Sequence, residues 1–484
     1  MTSPRVMGLA IACALASMFP AAKARGQDAV GYQQALEAGW AGRYGEALQG
    51  INLYLIAHPD DRVAQLDRAR FYAWRGDYAA AMDALARFPS DDVEATALRA
   101  RIAAWADRRD TALALNTPLY NAAPGDYDHA WTQALALRQG EWPQQALPAL
   151  ATVQAAKPDS PDTITLARAV RLPLFSSISV PTSLYSDSDH IQIRSTGVEA
   201  NLRLGDRWRL LAGGTRRVYS ARAGGPFTPL GGGDSVDETR IGGGIRLALS
   251  PDTALEAWLG RSTLDDHTPA TGDATIGHVS LAQHVNDNVS YVLTADRDRA
   301  DASPRALAVL RDGVAADVRW TPNLRDTLST RLAFSNYDDD NRREAFLGDY
   351  RHGTYRGDNV LVDLGGQIEW QHNSRNTGNG YYSPDRYVRV APQASAYVTF
   401  NEEAGLYLSA SLGAQRDETF KSWKRAADLN AEFTWGIFTH WQLVARAAYS
   451  QQLNQLGRYE GTNVGLQLRY RFCEFSPARC PRTP

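Results

Sequence analysis

The chain has 484 residues, 44% of them hydrophobic and 22% charged, and its formal net charge is −3. This near-neutral balance gives no reason to expect a nucleic-acid partner, which usually requires a basic stripe. The sequence that follows the N-terminal leader has no apolar run of about twenty residues, which excludes membrane-spanning helices. A β-barrel remains open, because alternating strands average out on a hydropathy scale.

Residues 1–24 have the features of a secretory signal peptide. Arg5 supplies a weak positive end, residues 6–19 form an apolar run, and residues 22–24 (Ala-Lys-Ala) offer small side chains at a cleavage site. Cys13 lies too early in the apolar run, and without the usual preceding Leu, to be a lipid attachment site. We therefore expect a protein exported across the inner membrane.

Residues 25–170 have the periodicity of helices and contain a repeat. The motif at residues 42–47 (Gly-Arg-Tyr-Gly-Glu-Ala) returns 34 residues later at residues 76–81, and weaker copies follow at residues 107–112 and 140–146. Gly permits a tight turn between paired helices, the aromatic ring fills the gap, and Ala permits close approach. The motif resembles the tetratricopeptide repeat. We expect a four-repeat α-solenoid that docks a periplasmic partner; a rigid spacer is the alternative.

Residues 171–472 alternate between apolar and polar side chains. In the last such segment Val464, Leu466 and Leu468 occupy every second position, and polar residues fill the gaps. A period of two indicates a strand with one apolar and one polar face. The pattern returns in strand after strand with no helix left to cover the apolar faces. Their solvent must then be lipid, so the sequence predicts a transmembrane β-barrel.

The turns predict how many strands the barrel has. Alternation marks fifteen segments between residues 175 and 472, but a barrel that begins and ends in the periplasm needs an even number. Short connections should be periplasmic and long ones extracellular. Counting from both ends makes residues 326–337 and 359–373 run in the same direction, so a descending strand must lie between them. Residues 342–353 are the only room, and we predict sixteen strands.

A sixteen-stranded barrel has an aqueous lumen unless a segment plugs it. Strand parity places carboxylates, arginines and tyrosines of the polar face in this lumen. The predicted lumen residues are Asp363, Glu369, Asp428, Glu432, Arg446, Arg469, Tyr397 and Tyr407. Mixed charge can simply balance the ions inside a barrel. A transport path would instead use the carboxylates as binding groups and the tyrosines as platforms for sugar rings.

No catalytic or cofactor chemistry is expected. The nine histidines are scattered, and no nucleophile motif, HExxH motif or Cys/His cluster accompanies them. The acidic run at residues 338–340 is interpreted as a solvated turn rather than a calcium site. We therefore predict no enzyme, no metal and no cofactor. In the tail, residues 473–484, we expect Cys473 and Cys480 to form a small disulfide loop; two spare thiols are the alternative.

The order of these parts resembles the outer-membrane exopolysaccharide export porins. The sequence is similar to the poly-β-1,6-N-acetylglucosamine export porin family and less closely to the cellulose-export porin. Two local matches support the resemblance, at residues 336–343 (Asn-Tyr-Asp-Asp-Asp-Asn-Arg-Arg) and residues 380–384 (Gly-Tyr-Tyr-Ser-Pro). The chain departs from these families in having about four repeats where they carry many more.

The resemblance implies passive export of an exopolysaccharide through a barrel in the outer membrane. It also implies that the periplasmic repeats dock a polysaccharide-modifying enzyme and an inner-membrane synthase complex, with outer-membrane lipid around the barrel. For a partly deacetylated, cationic glucosamine polymer, the four lumen carboxylates would be the attractive groups. The alternatives are a cellulose-type polymer, a barrel-anchored surface receptor or assembly module without transport, and a barrel enzyme that modifies envelope polymer.

Overall fold

The computed structural model describes residues 27–265, 272–454 and 457–473. The signal peptide predicted at residues 1–24, and Cys480 in the tail, lie outside these residues. Helices form the first part of the described chain. They are α1 (Gln27–Trp40), α2 (Tyr44–Ala57), α3 (Arg62–Trp74), α4 (Tyr78–Leu85), α5 (Val93–Trp105), α6 (Arg109–Ala122), α7 (Tyr127–Leu137), α8 (Leu147–Ala156) and α9 (Pro161–Arg171). Within these residues, none of the helices is long and apolar enough to cross a bilayer.

The helices pack in consecutive pairs, α1 with α2 through α7 with α8, as the repeat predicts. The turn inside each of the first three pairs explains the repeated glycine. Gly42 and Gly76 have φ angles of 78° and 82°, and Asp107 takes the same left-handed conformation at 60°. Gly adopts this region freely, and Asp is among the few other residues that tolerate it. The predicted architecture, a helical-repeat solenoid followed by a barrel, is confirmed.

Aspartates begin several of these helices. Asp61, Asp77, Asp92 and Asp126 precede α3, α4, α5 and α7, and each carboxylate accepts a hydrogen bond from a backbone N–H of the first turn. Such caps satisfy donors that the helix itself cannot pair. In contrast, α6 follows Arg108 and has no side-chain cap from its own segment.

Sixteen antiparallel strands close into a barrel, as predicted. They are β1 (Ser176–Asp187), β2 (Gln192–Arg203), β3 (Trp208–Ser220), β4 (Ser235–Ser250), β5 (Thr253–Asp265), β6 (Ala274–Asn286), β7 (Val289–Arg299), β8 (Leu310–Trp320), β9 (Asp326–Tyr337), β10 (Arg342–Arg356), β11 (Val360–Asn373), β12 (Tyr387–Asn401), β13 (Ala404–Asp417), β14 (Lys424–Trp435), β15 (Trp441–Asn454) and β16 (Gly457–Phe472). Closure pairs β1 with β16, from Ser176 opposite Phe472 to Asp187 opposite Gly461. The strand inferred from turn parity alone is β10, which pairs with β9 and β11.

The barrel wall has its apolar side outside and its charged side inside. Val464, Leu466 and Leu468 of β16 are 42–45% exposed on the outer surface. Glu238 and Arg389, by contrast, are almost fully buried on the inner side. A water-soluble protein has the opposite arrangement, with buried apolar and exposed charged side chains. The outer face is therefore a surface for lipid, and the inner face is the polar lumen of a membrane barrel.

Candidate functional site

Connected cavities run through the barrel lumen. The largest, about 760 Å³, lies at the periplasmic end, and others of about 480, 450 and 150 Å³ follow along the wall. Arg469 lines both the first and the second cavity. Tyr407 lines the first, third and fourth. Because these residues line more than one cavity, the cavities are adjacent inside the lumen.

Three of the four predicted lumen carboxylates accept a hydrogen bond from an arginine of a nearby strand. The pairs are Asp363 with Arg356 Nη2 at 2.7 Å, Glu432 with Arg446 Nε at 2.7 Å, and Asp428 with Arg389 Nη2. Their surroundings differ: the Arg389–Asp428 pair is nearly buried, whereas both side chains of the Glu432–Arg446 pair are about one-third exposed or more. The fourth carboxylate, Glu369, lies opposite Arg389 in the β11–β12 register. The inner wall therefore carries carboxylates whose charge is largely balanced locally.

The two predicted tyrosines lie side by side. Tyr397 on β12 is opposite Tyr407 on β13, and both line the largest cavity. The Tyr407 hydroxyl accepts a hydrogen bond from Arg351 Nη1 at 3.0 Å. A Cβ at Gly405 would clash with the Tyr397 ring, so that ring folds over the glycine. Arg469, the last predicted lumen residue, donates to Gln442 Oε1 at 3.2 Å. The structure thus brings these residues to the periplasmic half of the lumen.

A second charged network in the outer half of the lumen was missed from the sequence. Arg240 donates to Glu238 Oε1 at 2.7 Å and to Asp298 at 3.0 Å, and Ser262 Oγ donates to the same Glu238 oxygen at 2.6 Å. These side chains occupy inward positions of β4, β5 and β7. Parity would have found them had it been extended to the first half of the barrel.

The β7–β8 loop, residues 300–309, folds into the outer mouth. Leu307 of this loop is fully buried against the inward-facing Tyr219 and Val236. Ser303 Oγ donates to the Gly380 carbonyl of the β11–β12 loop at 2.7 Å. The loop is therefore anchored to both sides of the mouth and narrows the extracellular end of the lumen.

The acidic run in the β9–β10 turn binds neighbouring loops. Asp338 accepts a hydrogen bond from the Leu310 N–H at 3.0 Å, and Asp339 accepts from Asn379 and the Tyr381 hydroxyl at 2.8 and 2.9 Å. These oxygens hold loops together.

At the periplasmic end, turns between the paired helices contact the turns of the barrel. Arg108 donates to the carbonyls of Asp287 at 2.7 Å and Thr321 at 2.8 Å. The Asp287 carboxylate accepts from the backbone N–H groups of Asp110 at 2.8 Å and Thr111 at 2.7 Å. Asp287 therefore supplies the missing N-cap of α6 from the β6–β7 turn, across the boundary between the two parts of the chain.

The next helix–helix turn makes similar contacts farther around the rim. The Glu141 N–H donates to the Pro251 carbonyl at 2.8 Å, and Arg246 pairs with the Glu141 carboxylate at 2.8 Å. Trp142 donates to the Ala248 carbonyl at 3.3 Å, and the Arg207 guanidinium lies 4.5 Å from the centre of a Trp142 ring.

Asp110, Asp252 and His284 meet where this rim is crowded, with ligand atoms within 4.8 Å of one another. Such a group can hold a metal ion, and within the described residues it is the group of this kind that the structure contains. However, Arg109 donates to both carboxylates, at 2.9 Å to Asp110. The guanidinium already supplies the positive charge, so we assign no metal here.

Elsewhere on the rim, apolar side chains join the contact, beside an ion pair between Arg168 and Glu403 at 3.7 Å. Ala169 of α9 and the following Leu172 pack against Ile437 and Phe438 of the β14–β15 turn. Contacts with the helical part thus run around the rim from the β2–β3 turn to the β14–β15 turn.

Asp107 and Arg138, in two of the helix–helix turns, line the largest cavity from the periplasmic side. Burial raises the pKa of the Asp107 carboxyl and lowers the pKa of the Arg138 guanidinium to about 10.

A buried carboxyl in α9 predicts a pH dependence of the helical part. Burial raises the pKa of Asp162 to about 6, against the pull of Arg101 and Lys157. Because the folded pKa lies above the unfolded value, the stabilisation is complete below about pH 4 and is lost as the pH rises through about 6. Asp162→Asn should therefore stabilise the helices by about 1–3 kcal/mol at neutral pH and by little at about pH 4.

Thermal unfolding followed by the helical circular dichroism signal measures this effect. The exposed Asp159 of the preceding turn provides the control. Asp159→Asn should leave the thermal stability unchanged both at neutral pH and at about pH 4. An Asp162→Asn variant that gains no stability at neutral pH would show that the carboxyl is ionised in the folded state without cost.

Residues 239–463, within the barrel, match the family model of the PgaA membrane beta barrel domain. A solved structure described as a bacterial polysaccharide outer membrane secretin aligns with a TM-score of 0.51 and 18% identity, over 62% of this chain and 98% of that chain. No curated protein sequence matches.

Two further porin structures align over the same 62% of the chain and 98% of their own length. OccK5 (OpdH) of Pseudomonas aeruginosa has a TM-score of 0.32 and 11% identity, and a BenF-like porin from Pseudomonas fluorescens Pf-5 has 0.34 and 10%. The family match falls on the barrel whose lumen is described above. Over its barrel the chain is therefore similar to the PgaA family of membrane β-barrels, and the match covers 225 of its 484 residues.

Proposed function

We propose that the protein exports an exopolysaccharide of the poly-N-acetylglucosamine type, partly deacetylated and therefore cationic, through the barrel lumen. The observation that carries the proposal is the series of adjacent polar cavities, lined by carboxylates and tyrosines, inside a barrel similar to the PgaA membrane barrel. The likeness to a polysaccharide secretin supports a polysaccharide as the cargo. The cavity at the periplasmic end alone, about 760 Å³, lies in the size range of small-ligand sites.

The charge pairs suit passive movement of such a polymer. An ammonium group of the polymer is attracted by Glu432 or Asp363, but each carboxylate already has an arginine partner. The arginine limits the depth of each binding site, so that the polymer is held weakly at many points. Conduction requires this balance, because a site that binds too tightly does not release its cargo.

The helical part of the chain would deliver the polymer. Three of its helix–helix turns and α9 contact the barrel rim, whereas Arg43 and Glu46 in the first repeat form an exposed ion pair with each other. We propose that the surfaces turned away from the barrel dock a periplasmic polysaccharide-modifying enzyme and the inner-membrane synthase complex. A neutral, cellulose-type polymer is the alternative cargo.

Single-channel recording in planar bilayers tests the proposal. Glucosamine oligomers added to the periplasmic side should block the current in steps, and the block should weaken with salt because the attraction is electrostatic. Neutral cello-oligosaccharides at equal concentration are the control and should block less. Stronger block by the neutral oligomers would favour a cellulose-type cargo. A channel that neither oligomer blocks would contradict polysaccharide export.

A further inference from the structure

Trp258 is an aromatic side chain of the lumen that the strand pattern alone does not single out. On β5, Leu255 and Leu259 are exposed to lipid, at 36% and 66%, so Trp258 at the alternate position faces inward. It lies opposite Gly244 on β4 and His278 on β6. It also lines the 480 Å³ cavity of the lumen wall.

The indole ring lies flat on the wall. A Cβ at Gly242 or at Gly260 would clash with the six-membered ring of Trp258, so the ring occupies the space above both glycines. A lumen tryptophan could instead project toward the barrel axis and obstruct it. Because Gly242 and Gly260 have no side chains, the indole can lie against the wall, and one face of the ring is then turned toward the cavity.

The imidazole of His278 lies next to the indole, on the neighbouring strand. The two rings are nearly parallel, with an interplanar angle of 12° and centroids 6.2 Å apart. His278 Nε2 lies 3.1 Å from Glu256 Oε1, so the carboxylate fixes the imidazole at the edge of the surface. Glu256 lines the same cavity, and Glu199 lies on the cavity wall formed by β2.

We propose that Trp258 and His278, with Glu256 at their edge, form a binding platform for a glucosamine unit of the exported polymer. The indole face packs against the apolar face of the pyranose ring and attracts the ammonium group by a cation–π contact. Glu256 and Glu199 offer acceptors for the ammonium and hydroxyl groups. The inference rests on the proposed function, since it names the part of the lumen that recognises the cargo.

The test compares block of the full-length channel by glucosamine oligomers in wild type and variants. Trp258→Ala should shorten the residence time of the blocking oligomer about 5-fold to 10-fold, since a partly desolvated cation–π contact in a wet lumen has that magnitude. Trp258→Phe keeps a ring above the glycines and should lose only about 2-fold. Trp320→Ala removes a lipid-facing tryptophan that is 47% exposed and should leave the residence time unchanged.

A second variant displaces the Trp258 ring by a change in the barrel wall beneath it. Gly260→Ala adds the methyl group that would clash with the indole and so pushes the ring off the wall. It should change the block kinetics while Trp258 itself is retained. Heat-modifiable mobility on gels establishes that the barrel of each variant has folded. If Trp258→Ala does not fold, Trp258→Phe takes its place as the test variant.

The outcomes separate the two proposals. A wild-type channel that glucosamine oligomers do not block contradicts the proposed function. If the wild-type channel is blocked but the residence times are unchanged in Trp258→Ala and Gly260→Ala, the proposed platform is wrong. The proposed export function is not contradicted by that result. A shorter residence time in Trp258→Ala alone among the tryptophan-to-alanine variants supports the platform.

Discussion

Removal of residues 28–165 should raise the single-channel conductance several-fold and abolish export of polymer. The barrel should still insert, because its strands and their closure do not depend on the helices. The conductance should rise because the helix–helix turns and α9 contact the periplasmic rim, and Asp107 and Arg138 line the largest cavity from below. Export should fall because the surfaces that we propose to dock partners are gone. Planar-bilayer recording and secreted-polymer assays measure the two effects.

A pair of matched substitutions gives a finer test of the same contact. Arg108→Ala removes the side chain that joins α6 to the β6–β7 and β8–β9 turns, and should raise conductance in the same direction as the deletion. Arg43 precedes α2 as Arg108 precedes α6, but its side chain is 55% exposed and pairs with Glu46 in its own helix. Arg43→Ala is therefore the control. Equal conductance of the deletion variant and the full chain would show that the helices leave the channel open.

Neutralisation of the four lumen carboxylates should change the channel from cation-preferring to anion-preferring. The combined variant is Asp363→Asn, Glu369→Gln, Asp428→Asn and Glu432→Gln. It leaves Arg356, Arg389 and Arg446 without their carboxylates. Fixed positive charge in a narrow lumen attracts anions and repels a cationic polymer, and the effect weakens with salt. Reversal potentials in a salt gradient and the amount of secreted polymer measure the change.

Stability must be separated from selectivity in this variant. Arg389 is 2% exposed, and loss of Asp428 leaves a nearly buried guanidinium without its charged partner, which costs up to about 3–5 kcal/mol in a dry site. The wet lumen reduces that cost. Adding Arg389→Gln to the quadruple variant, which already contains Asp428→Asn, removes both charges of this pair. It should restore the heat-modifiable mobility of a folded barrel without restoring the cation preference. If the quadruple variant folds to normal abundance and keeps its cation preference, the four carboxylates are not the groups that select ions.

Periodicity and turn length were sufficient to predict much of the fold. The alternation of apolar residues located the strands, and the parity of short and long turns located β10, whose sequence alternates too poorly to be recognised directly. The same parity placed Glu432, Tyr397 and Tyr407 in one lumen. A period of two fixes the face on which a side chain lies, but it does not fix the rotamer or the partner. The pairing of Asp428 with Arg389, and the flat orientation of Trp258, depend on neighbours brought together by closure of the barrel.

The contact between the helices and the rim could not be predicted for a related reason. Arg108 and Asp287 are 179 residues apart in sequence, and neither belongs to a repeating pattern. Asp287 looks like an ordinary turn residue beside Asn286. The sequence offers only an indirect signal, which α2 shares: both α2 and α6 begin without the capping aspartate that precedes α3, α4, α5 and α7.

The cap that Asp287 supplies to α6 has a consequence for the order of assembly. The helical part is synthesised and crosses the inner membrane before the barrel strands, so α6 first forms with two free backbone donors at its start. Those donors are paired only when β6 and β7 have been joined and their turn has reached its place in the closed ring. A capping interaction contributes about 1 kcal/mol, so the third helical pair becomes fully stable only on a finished barrel. Slower hydrogen exchange at the Asp110 and Thr111 amides would then mark completion of the barrel.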